Sequence, residues 1–286
     1  MDIIRATGMP AGESFLCVTD RAAVLIDTSF DFNAERTLAR IQARLGDRPL
    51  DGILLTHSHY DHLSGTAAIK KAYPGALVAA HPRVREILAK DNAVATMGRL
   101  NEEASAAYSA PYTCRMERPE IDLDVTEGAA LWFGDMAIKV IETPGHTRCC
   151  VSYFFENSGT LACSETVGVL LHGHIIPIFI TGYDDARRSL DKSIACGAGD
   201  VIVPHYGMPE GMDAETFLRA SKAKIEEAGG LVLDLHRRGA SREEILSAYT
   251  AKYYTDLLDE IQPLSAFLLN TEAMISRLLP EEASPT

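Results

Sequence analysis

The segment "THSHYDHLSG" (residues 56–65) sets His57, His59, Asp61 and His62 within six positions, between the apolar run "DGILL" and Gly65. Imidazole nitrogens and a carboxylate at this density suit a divalent cation of the zinc, iron or manganese kind. If "DGILL" is a strand, the cluster occupies the loop at its C-terminal end, where sites in α/β proteins collect. There His57 and His59 can point to one side while Asp61 and His62 turn to another, giving the two ligand sets of a dinuclear centre. One loop cannot complete two coordination spheres. Three later strand ends each offer one more ligand: His146 in "ETPGHT" (142–147), Glu165 in "LACSET" (161–166) and His205 in "DVIVPHYG" (200–207).

Other reactive residues carry weaker signals. His172 and His174 in "LLHGH", with Tyr183 beyond them, admit two readings: a substrate-binding group or a plain hydrogen-bonded loop. His81 in "AAHPRV" reads as a locally bonded strand-end residue, and His236 beside "RRG" as a solvated helix residue. Cys17, Cys114, Cys149, Cys150, Cys163 and Cys196 show no C-x-x-C spacing, so they read as reduced thiols rather than zinc ligands.

Lys and Arg number 27 against 40 Asp and Glu, for a net charge of −13. A surface that negative repels phosphate backbones, so nucleic acid is not an expected partner. No basic N-terminal stretch leads into a long apolar run and no window reaches transmembrane length, so a cytoplasmic protein with no membrane partner is expected.

The elements that must position the cluster alternate. "SFLCVTDRAAVLIDTS" (14–29) reads as a hairpin turning at Thr19–Asp20, and residues 33–45 as a helix with Leu38, Ile41 and Leu45 on one face and Asn33 as N-cap. "LDGILLTHSH" and "ALVAAHP" read as buried strands, "GTAAIKKAYPG" and "RVREILAKD" as helices, the first stopped by Pro74 and Gly75. Residues 91–120 combine a helical pattern with the loop "APYTCRMERPE"; strands resume at "LDVTEG", "ALWFG", "MAIKVIETPG" and "CCVSYFFEN". Such alternation is an α/β arrangement. From about residue 212 amphipathic helices take over, with Ser241 and Glu244 as a capping box, Pro263 at a first helical position and the tail "PEEASPT" as disordered. The expected division is a core at 1–211 and a helical appendage at 212–286.

With these motifs in order, the chain resembles the metallo-β-lactamase fold superfamily. The T-H-x-H-x-D-H-x-x-G signature is matched at every fixed position by "THSHYDHLSG", and "TPGHT" and the final Pro-His follow in order. The similarity covers roughly residues 12–210. It implies a four-layer αββα sandwich and two divalent metal ions, zinc first with iron or manganese as alternatives. It further implies that His57, His59 and His146 bind one ion and that Asp61, His62 and His205 bind the other. The family's bridging ligand is an aspartate; here "CSET" makes Glu165 the candidate, one methylene longer.

The expected chemistry is hydrolysis by a metal-bridging hydroxide, with Asp61 both ligating and orienting the nucleophile. Superfamily members with C-terminal helices, such as glyoxalase II-like and alkylquinolone-signal response thioesterases, use them to roof the active site. The expected substrate is therefore a small molecule, a thioester or ester of a hydrophobic acyl group, and a homodimer is compatible with the apolar helices. Two alternatives remain: a diiron oxygen- or nitric-oxide-reactive oxidoreductase, and a regulatory effector that keeps a metal site.

Overall fold

Apolar residues on both faces of short strands dictate a buried double layer. In β2 (Phe15–Val18) Phe15 and Cys17 face one way, and Leu16 and Val18 the other; all four are buried. The same alternation runs through β3 (Ala23–Ile26), β4 (Gly52–Leu54) and β5 (Leu77–Ala80). A computed structural model describes residues 1–9, 12–108, 110, 112–113, 116–259 and 262–279. The tail "PEEASPT" and Cys114 lie outside the described residues.

β1 (Asp2–Arg5) through β5, with β6 (Leu123–Asp124), form a six-stranded sheet in sequence order. β1, β2 and β3 pair antiparallel, in the hairpin expected for 14–29; β3, β4, β5 and β6 run parallel. A second sheet has β7 (Ala130–Phe133), β8 (Met136–Glu142), β9 (Val151–Phe155) and β10 (Thr160–Ala162) antiparallel. β11 (Val169–Leu171) and β12 (His174–Ile176) make a separate hairpin, and β13 (Asp200–Ile202) joins the second sheet parallel to β10.

Ile26, Leu54 and Ala79 of the first sheet meet Val140, Tyr153 and Ile202 of the second in one core. The Tyr153 hydroxyl is buried there and donates to the Leu55 carbonyl at 2.8 Å, tying the layers together. On the outer face of the first sheet, α1 (Ala34–Leu45), α3 (Thr66–Ala72) and α4 (Pro82–Leu88) bury Ile41, Leu45, Ile69, Val84 and Leu88. The short α2 (Tyr60–Leu63) precedes α3, and α5 (Asp91–Ala107) shows that the ambiguous stretch after residue 91 is a helix. On the far side, α6 (Tyr183–Ala195), α7 (Ala214–Arg237), α8 (Arg242–Tyr253) and α10 (Leu264–Leu278) share a core with Leu161 and Val201, and α9 (Asp256–Asp259) is one turn. The layers are α, β, β, α, as the resemblance implied.

Three local expectations change or sharpen. Asn33 stands at the N-cap of α1 but makes no cap bond; its amide donates to Ser29 and Thr37 hydroxyls instead. Pro263 occupies the N-cap of α10 rather than its first turn. The Ser241–Glu244 capping box forms in full. Among the described residues no helix is long and apolar enough to cross a membrane.

Candidate metal centre

The second parallel strand, β4, ends directly before the histidine cluster, and the chain there is fixed from below. Thr56 donates its backbone N–H and its hydroxyl to the two carboxylate oxygens of Asp27, each at 2.7 Å, while its hydroxyl lies 3.0 Å from His57 Nδ1. His59 is the N-cap of α2, and Asp61 and His62 share that single turn. The Thr28 N–H and hydroxyl both donate to the His62 carbonyl, which holds the turn against the end of β3. Gly65 closes the motif because a Cβ there would stand 2.4 Å from the Thr28 carbonyl oxygen.

The remaining members arrive from other strand ends. His146 follows β8, and its N–H donates to the Thr166 hydroxyl at 3.3 Å. Glu165 begins a one-turn 3₁₀ helix (Glu165–Val167) after β10; the Thr166 hydroxyl donates back to the Thr143 carbonyl at 2.6 Å, and Val167 packs on α7. His205 follows β13, with its Nδ1 3.4 Å from the Gly12 N–H.

Among the described residues the possible ligand atoms fall into three overlapping groups, one of which is Asp27, His57 and His62. Of the other two, His57, His59, His146 and Glu165 form one, and Asp61, His62 and His205 another, the atoms of each lying within 4.8 Å. In the first, His59 Nδ1 is 2.9 Å from His146 Nε2. In the second, His62 Nε2 is 3.2 Å from His205 Nε2, and Asp61 Oδ2 is 3.3 and 3.5 Å from those two atoms. Glu165 Oε2 approaches imidazoles of both: it lies 3.1 Å from His146, 3.4 Å from His57, 3.3 Å from His205 and 3.6 Å from His62, each measured to Nε2.

These spacings fit a bound cation. Tetrahedral ligands at 2.0–2.1 Å from zinc sit roughly 3.3 Å from one another, close to every separation above. His57 Nε2 is buried and makes no hydrogen bond, so its lone pair has no other use. The protonation states divide: the neighbouring carboxylates Asp61 and Glu165 outweigh burial and raise His62 and His205, so a cation binding there would displace their protons. Burial, then the charge of His62, lowers His57 to about 4, and burial with His146 and His57 lowers His59 well below its ordinary value. Burial opposes the charge on Glu165, but His146 and His205 outweigh it and hold that carboxyl well below its usual range. Burial is likewise outweighed at Asp61, by His62 and His205. A cation requires neutral imidazoles and ionised carboxylates, the direction of the shifts at His57, His59, Glu165 and Asp61.

Asp27 was not singled out in the sequence. Its Oδ2 is 3.0 Å from His62 Nδ1, the carboxylate–histidine arrangement that fixes a ligand's tautomer. Its position at the end of an apolar strand, in "LIDTS", was the available signal. A group of rings was missed too: Phe30 lies 4.8 Å from Phe32, 5.7 Å from Tyr60 and 6.0 Å from Tyr108, beside Asp61.

His172, His174 and Tyr183 are placed elsewhere. His172 and Gly173 form the two-residue turn between β11 and β12 with positive φ at both, a type I′ pattern, and both imidazoles are exposed. The Tyr183 ring lies against Phe179 at 5.3 Å and fills the space a Cβ on Gly229 of α7 would need. The structure brings none of the three into the donor sets. His81 caps α4 through the Arg83 N–H, and His236 is exposed on α7. Cys17, Cys149, Cys150 and Cys163 are buried free thiols and Cys196 a half-buried one; burial lifts Cys17 and Cys150 to about 12.

A family model for the metallo-beta-lactamase superfamily matches residues 10–205. The chain belongs to that superfamily. Among metallo-beta-lactamase superfamily structures, it is similar to a family protein from Thermus thermophilus at TM-score 0.64 and 20% identity, covering 92% of this chain and 86% of that one. A Sulfolobus tokodaii protein of the superfamily aligns at TM-score 0.60 and 19% identity over 79% and 85%. These two likenesses concern the fold. In sequence, a hydroxyacylglutathione hydrolase of Methylobacterium sp. (strain 4-46) is 28% identical over 59% of this chain. Another from Brucella anthropi is 30% identical over 65%. The matches span 56% and 64% of those relatives' own lengths.

Proposed function

We propose that this protein is a metal-dependent hydrolase that cleaves a thioester or ester of a hydrophobic acyl group. The observation that carries the reading is the place of Glu165 Oε2, within 3.1–3.6 Å of four imidazole nitrogens that divide between two donor sets. His57, His59 and His146 would hold one divalent cation, Asp61, His62 and His205 the second, and Glu165 both. Zinc suits three nitrogens and a carboxylate best. Bound there, a pair of divalent cations supplies Lewis acidity and brings the pKa of water from 15.7 to about 7.

The chain's own residues do the rest. Asp61, on the surface side of the second set, accepts a hydrogen bond from the attacking water and aims it. Asp27 keeps His62 in one tautomer by bonding Nδ1. The rings of Phe30, Phe32, Tyr60 and Tyr108 beside Asp61 offer an apolar wall for an acyl chain or aryl group and keep bulk water off the reacting carbon. The thioester preference is supported by relatives named for hydrolysis of acylglutathione. Helices α7, α8 and α10 share an apolar core with Val167 of the Glu165 turn, so in this reading they brace that turn.

The test is a substrate panel on zinc-loaded protein: acyl-CoA, acylglutathione, aryl ester, lactone and phosphodiester. Turnover of a hydrophobic thioester or ester above the others supports the reading. Tight metal binding with no hydrolysis, or an iron-oxo absorption band in protein purified without added metal, overturns it in favour of a regulatory or diiron protein.

A further inference from the structure

Tyr206, next to His205, is held against its own backbone preference. Its φ is +61°, the left-handed region, which is strained for a bulky side chain. The surroundings enforce it from several sides. Val203 N–H donates to the Gly207 carbonyl at 3.2 Å across the turn, Glu13 N–H to the Pro204 carbonyl at 3.0 Å, and Gly12 N–H approaches His205 Nδ1. The Glu13 carboxylate, buried and paired with Arg5, also takes the Tyr206 backbone N–H.

A second unfavourable feature coincides with the first. The Tyr206 hydroxyl is buried and has no hydrogen-bond partner, although its ring is only half-buried. A phenol left in that condition bears its desolvation cost with nothing to offset it. The ring centroid stands 6.3 Å from that of His205. A strained hydroxyl donor without a partner, on the residue after His205, is an arrangement for meeting a ligand.

We propose that Tyr206 is a catalytic residue whose hydroxyl donates a hydrogen bond to the acyl carbonyl oxygen of the bound ester or thioester. This rests on the hydrolase reading above. As water adds to the carbonyl carbon, the π pair moves onto that oxygen, and the O–H stabilises the charge without giving up its proton. When the pair returns, the C–S or C–O bond breaks, the thiol or alcohol leaves with a proton from the water, and the carboxylic acid remains. Preorganised donors of this kind are worth about 10²–10³ in turnover.

The experiment compares wild type with Tyr206→Phe as zinc-loaded full-length chains. Four quantities are read: kcat and KM on a hydrophobic acyl thioester, the Kd of a phosphonate analogue of the same acyl group by calorimetry, metal content, and Tm. The expected result is kcat lower by about 10²–10³, weaker phosphonate binding by about tenfold or more, KM little changed, metal content equal, and Tm equal or higher because an unpaired buried hydroxyl is gone. Unchanged kcat and phosphonate affinity overturn the proposal, as does a loss that follows the metal content or a fall in Tm. If wild type cleaves no thioester or ester, the hydrolase reading fails by itself, and the phosphonate titration decides Tyr206: equal affinity, or no binding to either protein, overturns it.

Discussion

Asp27 holds His62: its Oδ2 lies 3.0 Å from Nδ1 of that imidazole, while both its oxygens accept from Thr56. A carboxylate bonded in this way raises the basicity of the ring's other nitrogen and fixes its direction. Asp27→Asn keeps the shape, and asparagine tolerates the observed φ of +52°. The expected outcome is metal affinity lower by about 10–100-fold, read by competition with a chromophoric chelator. An unchanged affinity would remove Asp27 from the account.

His59 and Asp61 stand on the same turn but belong to different donor sets. Alanine at either position should lower turnover by on the order of 10³-fold or more, since each removes a proposed ligand of the cations that would activate water. Far-ultraviolet circular dichroism should stay that of wild type, because neither side chain contributes to the apolar cores. Full activity in either variant would refute the ligand assignment.

Glu165 should be sensitive to both charge and length. Glu165→Gln keeps the reach and removes the charge that offsets two cations. Glu165→Asp keeps the charge and withdraws it by one methylene. Both should bind less than two zinc ions per chain after dialysis, with the glutamine variant the lower. Two full equivalents in Glu165→Gln would show that Oε2 is not shared.

Gly65→Ala tests packing at the start of α3. Alanine gains up to about 1 kcal/mol over glycine in a helix interior, but at the N-cap, where Gly65 stands, glycine is the better residue. The added Cβ would sit 2.4 Å from a backbone oxygen that two hydrogen bonds elsewhere hold in place. The expected outcome is a net loss of about 1–3 kcal/mol and a fall in Tm of roughly 2–4 °C per kcal/mol lost. A raised Tm would mean that the Thr28 loop moves freely.

Much of the fold was legible because period and punctuation agreed. The 14–29 hairpin, the buried strands before His57 and His81, and the helix at 34–45 each follow from apolar spacing bounded by turn residues. The ligand cluster was legible for a different reason: histidine and aspartate at that density have few structural uses. What escaped depended on contacts far apart in sequence. Asp27 acts through a residue 35 positions away, Gly12 through one 193 away, and the Phe30–Tyr108 rings meet only after α5 folds across the first sheet. Residues 91–107 were ambiguous because Gly98 and a weak apolar stripe hide a helix with few buried positions. His172 illustrates the reverse case, where a reactive residue type serves a tight turn.

Two cations joined through a single carboxylate oxygen form the centre of this account, and a zinc-loaded crystal examined at the zinc absorption edge tests it most directly. The predicted map has two anomalous peaks, one among His57, His59 and His146 and one among Asp61, His62 and His205, each about 2.0–2.2 Å from Glu165 Oε2. A single peak, or two with Glu165 bonded to neither, would contradict it.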